Sequence, residues 1–201
     1  AGSHSESINW SDINPIFFRK SRFNFLDGGT HWLSPTPDKP NSLGYGNFIP
    51  RTFSWILLED NIVKDYQYKI FIINTHLDVT NHESRVKSIE QISQFINDFV
   101  YEYDLLLLMG DFNTIEVNSK IIDKFKDKGT MLEDSVKWGD INIGTFNGFY
   151  DNMGYRIDYI FYQDNKVQNK LFSICISHEP SRSPCAVLSA LKMIQQCVVR
   201  S

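Results

Sequence analysis

Two uninterrupted apolar runs, Ile70–Ile73 and Leu105–Met109, constrain the fold of this chain more than any other feature. Successive side chains of a strand point to opposite faces, so a half-buried strand alternates apolar and polar residues. Short runs that skip the alternation fit strands covered on both faces. The first run follows an alternating stretch (Tyr66, Tyr68, Ile70), which predicts a strand over Tyr66–Leu77 that enters the core as it proceeds. Between the two runs lies the clearest helix. Val86, Ile89, Ile92, Ile96, Phe99 and Tyr103 recur at spacings of three or four and share one stripe, predicting a helix over Glu83–Tyr103 capped by Asn81.

Other strands are predicted at Pro15–Arg19, Phe23–Leu26, Thr30–Leu33, Thr52–Glu59, Arg156–Tyr162, Leu171–Ile176 and Ala186–Leu191. The aromatic content of 14% leans the same way. A second helix is expected over Asn118–Lys128, with Ile121, Ile122 and Phe125 facing inward and Gly129 ending it. Ser34–Pro50 holds four prolines and two glycines and reads as a long surface loop, a kind of segment that is often functional. Strands flanked by a few helices point to a layered α/β sandwich. With 201 residues and no repeat or linker, the chain reads as one domain over 1–201.

Charge narrows the partners. The 20 basic residues are scattered and the net charge is −4. A long nucleic-acid groove needs clustered Lys and Arg to neutralise phosphates, so charge does not support nucleic acid as partner. A small phosphorylated substrate stays compatible. Arg19, Lys20 and Arg22 form the nearest approach to a cluster and read as a strand end. No apolar run reaches the roughly 20 residues of a membrane helix, and the first residues have neither the basic start nor the apolar centre of a secretion signal. Cys175, Cys185 and Cys197 lack metal-type spacing and read as free thiols, or as one disulfide if the protein is exported. The compartment is left open, and a monomer is expected.

Three segments end apolar strands with polar residues that can carry chemistry. In Leu108-Met109-Gly110-Asp111-Phe112-Asn113, the glycine permits a sharp turn, and residues two apart in extended chain point the same way. Asp111 and Asn113 therefore either converge as hard oxygen ligands suited to Mg²⁺ or Mn²⁺ or close the strand with an Asx turn. In Asn74-Thr75-His76-Leu77-Asp78, His76 ends a very apolar strand, where an unpaired imidazole is costly. It is either a satisfied core histidine or a proton donor and phosphate binder. In Arg156-Ile157-Asp158-Tyr159, Asp158 sits among large apolar residues. Either it pairs with Arg156, or it orients a histidine or a water.

The order of these segments says more than any one of them. "NTHLD", a helix, "LLMGDFN", "GTFNGF" and "RIDYIF" follow one another, preceded by Asn14–Pro40 and by "PRTFSW" at Pro50–Trp55. That series resembles the endonuclease/exonuclease/phosphatase superfamily, built on the pancreatic deoxyribonuclease fold, over about Ser11 to Gln163. The resemblance implies a four-layered α/β/β/α sandwich of two mixed or antiparallel sheets and metal-dependent phosphoester hydrolysis by an activated water. By the same resemblance Asp111 and Asn113 lie beside a Mg²⁺ or Mn²⁺ ion. His76 contacts the phosphate and assists the leaving oxygen, and Asp158 orients a second histidine from the last strand. Counting back seven positions from Arg19 gives Asp12, where the family places the acidic residue that braces the first histidine. Asp is one methylene shorter than the Glu usual there.

Two departures qualify these expectations. The family begins with strands and a helix that carry a metal-binding Glu, and this chain starts after them. Its last strand opens with Ser-Asp-His, whereas Ser183-Pro184-Cys185 stands here, with His178 and Glu179 nearby. The expectation is a phosphoesterase of impaired activity, lacking the first strands and helix. The alternative is a non-catalytic, degenerate or truncated relative.

Overall fold

The computed structural model describes residues 13–62, 66–115, 123, 125, 133–134, 144–146 and 154–165. Among the described residues, six strands and one complete helix follow in the order β1 (Phe23–Trp32), β2 (Thr52–Asp60), β3 (Tyr68–His76), α1 (His82–Asn97), β4 (Leu105–Asp111), β5 (Glu133–Asp134) and β6 (Asp158–Asp164). They form one mixed sheet in the order β1-β2-β3-β4-β6-β5. Only β3 and β4 run parallel, joined by the crossover helix α1; every other neighbouring pair is antiparallel.

The apolar runs lie at the centre of the sheet, and their residues divide between its two faces. Phe71, Ile73, Leu106 and Leu108 join Trp55, Leu57, Tyr159 and Phe161 beneath Ile89, Ile92 and Ile96 of α1. Ile70, Ile72, Leu105, Leu107 and Met109 join Ile56, Leu58 and Ile16 on the opposite face. The absence of alternation thus has the cause expected of it: both faces are buried. Among the described residues there is one sheet, so the described part is an α/β fold of a sheet and a helix.

Three predicted elements come out differently. Phe23–Leu26 and Thr30–Leu33 are parts of a single strand, β1, with a register shift between Phe25 and Asp27. Gly28 and Gly29 do not turn the chain; a Cβ would lie 2.9 Å from the Trp55 carbonyl oxygen at Gly28 and 3.0 Å from the Trp55 indole nitrogen at Gly29. They are small so that the Trp55 strand and ring can approach. Pro15–Arg19 is no strand. The segment crosses the sheet end, with the Asn14 amide donating to the Thr52 carbonyl (2.9 Å) and the Asn74 amide donating to the Pro15 carbonyl (3.1 Å). Ile16 anchors it in the second core while Phe17 is exposed.

The helix is shorter than its apolar stripe. It ends at Asn97, where the Asp98 N–H bonds back to Gln94. Phe99 and Tyr103 keep their contacts with the core from the following loop, and Phe99 stacks on Phe71 with ring centres 3.8 Å apart. At the other end Asn81 caps as expected, its side-chain oxygen accepting the Ser84 N–H at 3.1 Å. Of Asn118–Lys128 the described residues are Asp123 and Phe125, both helical, with Phe125 buried. The strands expected at Leu171–Ile176 and Ala186–Leu191 lie outside the described residues.

Candidate active site

Sheet register brings three of the sequence-predicted residues into one row. His76, the last residue of β3, pairs with Asp111, the last residue of β4. Asp111 in turn pairs with Asp158, the first residue of β6. Side chains of paired residues share a face, here the face that carries Ile72, Met109 and Ile160 rather than the helix side. His76 Nε2 lies 3.7 Å from Asp111 Oδ2, and both side chains are partly exposed.

Asn113 lies just past β4 in a left-handed conformation (φ 47°). Its N–H donates to Asp111 Oδ1 at 2.8 Å, so the Asx turn forms. Its side-chain amide donates to the Leu77 carbonyl at 2.9 Å and ties the end of β4 to that of β3. The turn and a clustered site are therefore not alternatives, because the turn fixes the Asp111 carboxylate in the row. Asp12 lies outside the described residues, as do Pro184, His178 and Glu179.

Thr145 supports Asp158 from a neighbouring segment. Its hydroxyl oxygen accepts the N–H groups of Ile157 (3.0 Å) and Asp158 (3.1 Å). The "GTFNGF" and "RIDYIF" motifs thus meet, joined also by a bridge between Phe146 and Tyr155. Arg156, the partner considered for Asp158, places its guanidinium over the Tyr159 ring at 4.3 Å. Its charge still acts on Asp158, but as the weakest of the influences there.

Two further residues join the site without any signal of their own in the sequence. Arg51 precedes β2 and is 5% exposed. Asp78 follows β3 and is equally buried, with its Oδ2 lying 3.8 Å from Arg51 Nε. Arg before a predicted strand and Asp after one look like ordinary surface charges. Only their presence in "PRTFSW" and "NTHLD" distinguishes them.

The electrostatics follow from partial burial among carboxylates and one guanidinium. Burial lowers the His76 pKa, and Arg51 lowers it further against the pull of Asp111, Asp158 and Asp78. The imidazole is therefore neutral at neutral pH, and its approach to Asp111 is a polar contact rather than an ion pair. Burial raises the pKa of Asp111, opposed by the Asn113 N–H, His76 and Arg51. Asp158 is raised by burial and by the Asp111 charge, while the Thr145 hydroxyl and His76 counteract. Two half-buried carboxylates, each costly to ionise, offer hard oxygen donors of the kind that suit a divalent cation. Among the described residues, no three His, Cys, Asp or Glu side chains converge closely enough to hold an ion by themselves. A cation here would need Asn113, water or substrate oxygens to complete its coordination.

A mixed α/β sheet with a His–Asp–Asp row across its central strand ends defines a class of protein with a polar site on a rigid edge. No family model and no curated protein matches the sequence. Solved structures do. An endonuclease/exonuclease/phosphatase family protein from Bacteroides thetaiotaomicron matches with a TM-score of 0.58 and 29% identity, over 72% of this chain and 52% of that one. A second, from Bacteroides vulgatus, gives 0.62 and 24% over 72% and 56%. A mannosyl-6-phosphatase from Bacteroides thetaiotaomicron gives 0.55 and 28% over 74% and 55%. The chain is thus similar in fold to solved endonuclease/exonuclease/phosphatase family proteins. It spans about half the length of the solved structures it matches.

Proposed function

We propose that this chain carries the site of a metal-dependent phosphoesterase, hydrolysing a phosphodiester or phosphomonoester with water. The observation that supports the reading best is the row His76–Asp111–Asp158, one residue from each of three adjacent strands. The mannosyl-6-phosphatase among the similar structures supports the same reaction class. A four-layered sandwich, with a second sheet on the face opposite α1, is the architecture we propose for the whole protein. The apolar second face, centred on Ile72, Leu107 and Met109, supports it.

In this reading Asp111 and Asn113 hold Mg²⁺ or Mn²⁺, which when bound supplies Lewis-acid polarisation of a phosphoryl oxygen. His76 contacts the phosphate and assists the departing oxygen. Arg51 contributes positive charge toward the phosphate, and its planar fork matches a pair of phosphoryl oxygens. Asp158 orients a proton-accepting partner or the attacking water. Asp12 is proposed to brace His76. Partner and substrate follow the site: a phosphorylated compound, with a net charge of −4 disfavouring a long nucleic-acid track.

Titration calorimetry with Mg²⁺ or Mn²⁺, alongside hydrolysis of bis(para-nitrophenyl) phosphate, tests this reading. Metal-dependent turnover is expected, falling on the order of 10³-fold in His76→Ala and in Asp111→Ala. A wild-type protein with no metal heat and no turnover would leave the non-catalytic alternative standing.

A further inference from the structure

Asp78 lies two residues beyond the end of β3, and its two carboxylate oxygens do different things. Oδ1 accepts three hydrogen bonds: from the N–H of Thr80 (2.9 Å), from the N–H of Asn81 (2.8 Å) and from the Thr80 hydroxyl (3.1 Å). Three donors on one oxygen leave the carboxylate plane little freedom. Oδ2 faces Arg51 Nε at 3.8 Å, a charge contact longer than a hydrogen bond, with side-chain exposures of 6% for Arg51 and 7% for Asp78.

Both backbones are fastened as well. Arg85 of α1 donates to the Asp78 carbonyl at 2.9 Å, and Asn81, whose N–H donates to Asp78 Oδ1, caps α1. The Arg51 carbonyl accepts the Leu33 N–H at 2.7 Å. Asp78 therefore stands on a support built from the start of α1, and Arg51 on the end of the 34–50 loop. The Arg51 charge is felt by His76 and Asp111.

A carboxylate needed only to close the turn before α1 has no reason to direct its second oxygen at a buried guanidinium. Nor does Asp78 suit substrate contact, since a carboxylate repels phosphate. We propose that Asp78 is a positioning residue that holds the Arg51 guanidinium toward the rim made by His76 and Asp111, where it meets a phosphate oxygen. The inference rests on the phosphoesterase reading of the site. A guanidinium binds phosphate well because its fork is planar, and that advantage is realised only when the plane is held.

Asp78→Asn isolates the effect. The new side chain keeps an oxygen for Thr80 and Asn81, loses the charge, and turns an amide rather than a carboxylate oxygen toward Arg51. Inorganic phosphate is the probe, with its affinity measured by calorimetry and by inhibition of bis(para-nitrophenyl) phosphate hydrolysis. Asp78→Asn is expected to weaken phosphate binding about tenfold and to raise KM more than it lowers kcat. Arg51→Ala weakens it at least as much, and the double variant is no worse than Arg51→Ala. Added guanidinium ion is expected to restore phosphate binding in Arg51→Ala and not in the double variant, a readout that a merely structural role for Asp78 would not move. Asp78→Ser, which still offers an oxygen to the Asn81 N–H, asks the same question if the Asn variant fails to fold.

Undiminished phosphate affinity in the Asp78 variants overturns the proposal, and so do losses that multiply in the double variant. A wild-type protein that binds no phosphate at all overturns the phosphoesterase reading and this proposal with it. Wild-type binding that Asp78→Asn leaves intact overturns this one alone.

Discussion

Replacing Gly110 by Ala asks whether backbone geometry at the end of β4 builds the site. Gly110 has φ +143°, which L residues rarely adopt, and it pairs with Thr75 immediately before the His76–Asp111 pair. A Cβ there would stand 1.9 Å from the Thr75 carbonyl oxygen and 2.9 Å from its carbon. Both atoms belong to the β3 backbone, so no flexible side chain can yield. The dihedral costs about 1–2 kcal/mol, and parting the strands to admit a methyl group adds about 1–3 kcal/mol. The total of about 2–5 kcal/mol lowers the melting temperature by roughly 4–20 °C in a chain of this size. Thermal unfolding followed by circular dichroism measures it. Metal-dependent turnover is expected to fall even well below the transition, because Asp111 must shift away from His76. A melting temperature within about 1 °C of wild type would refute the reasoning, for the strand end could then yield without cost.

Other expectations concern the core and the charges. Arg22 donates to both oxygens of Asp60, which is 4% exposed, so Arg22→Ala strands a buried carboxylate and is expected to cost about 3–5 kcal/mol in urea unfolding. The Arg22→Met/Asp60→Leu double variant should lose much less; equal losses would contradict the argument. Phe71→Ala removes a fully buried ring that stacks on Phe99, and should cost about 3–5 kcal/mol. A loss below about 1 kcal/mol would mean that the α1 side of the core closes over the gap. For Asp78, burial opposes ionisation, but the N–H groups of Asn81 and Thr80, the Thr80 hydroxyl and Arg51 together hold its pKa below the ordinary 3.8. A depressed carboxylate stabilises the fold above its unfolded pKa and loses that contribution as pH falls through its folded value. The stability gap between wild type and Asp78→Asn should thus hold at neutral pH and close in acid below 3.8. Urea midpoints measured from neutral to strongly acidic pH check this, and a gap independent of pH would contradict it.

The central sheet was legible because burial on both faces erases alternation, and nothing else makes Ile70–Ile73 and Leu105–Met109 look as they do. Aromatic richness misled where it came without a ladder: Pro15–Arg19 has the composition of a strand, yet it is an anchoring segment laid across the sheet end. Gly28-Gly29 misled in the other direction. The sequence shows a glycine pair but not the Trp55 indole that requires it. In the site, His76, Asp111 and Asp158 were legible as polar residues at the ends of apolar strands, where burial without purpose would be costly. Their row was not, since register belongs to the pairing of strands distant in sequence. Arg51 and Asp78 were invisible for a similar reason, because their burial arises only when the 34–50 loop and the start of α1 close over the sheet end.

Because His76, Asp111 and Asp158 form one row across two neighbouring ladders, their separations are set by strand spacing rather than by loop conformation. Surface segments around the rim can lengthen, shorten or change composition, and the distance from imidazole to carboxylates will hardly vary. The converse is a shared vulnerability. A slip of β4 by a single position would turn Asp111 toward α1 and part it from both neighbours at once. Such a chain could stay folded and lose the whole constellation in one step.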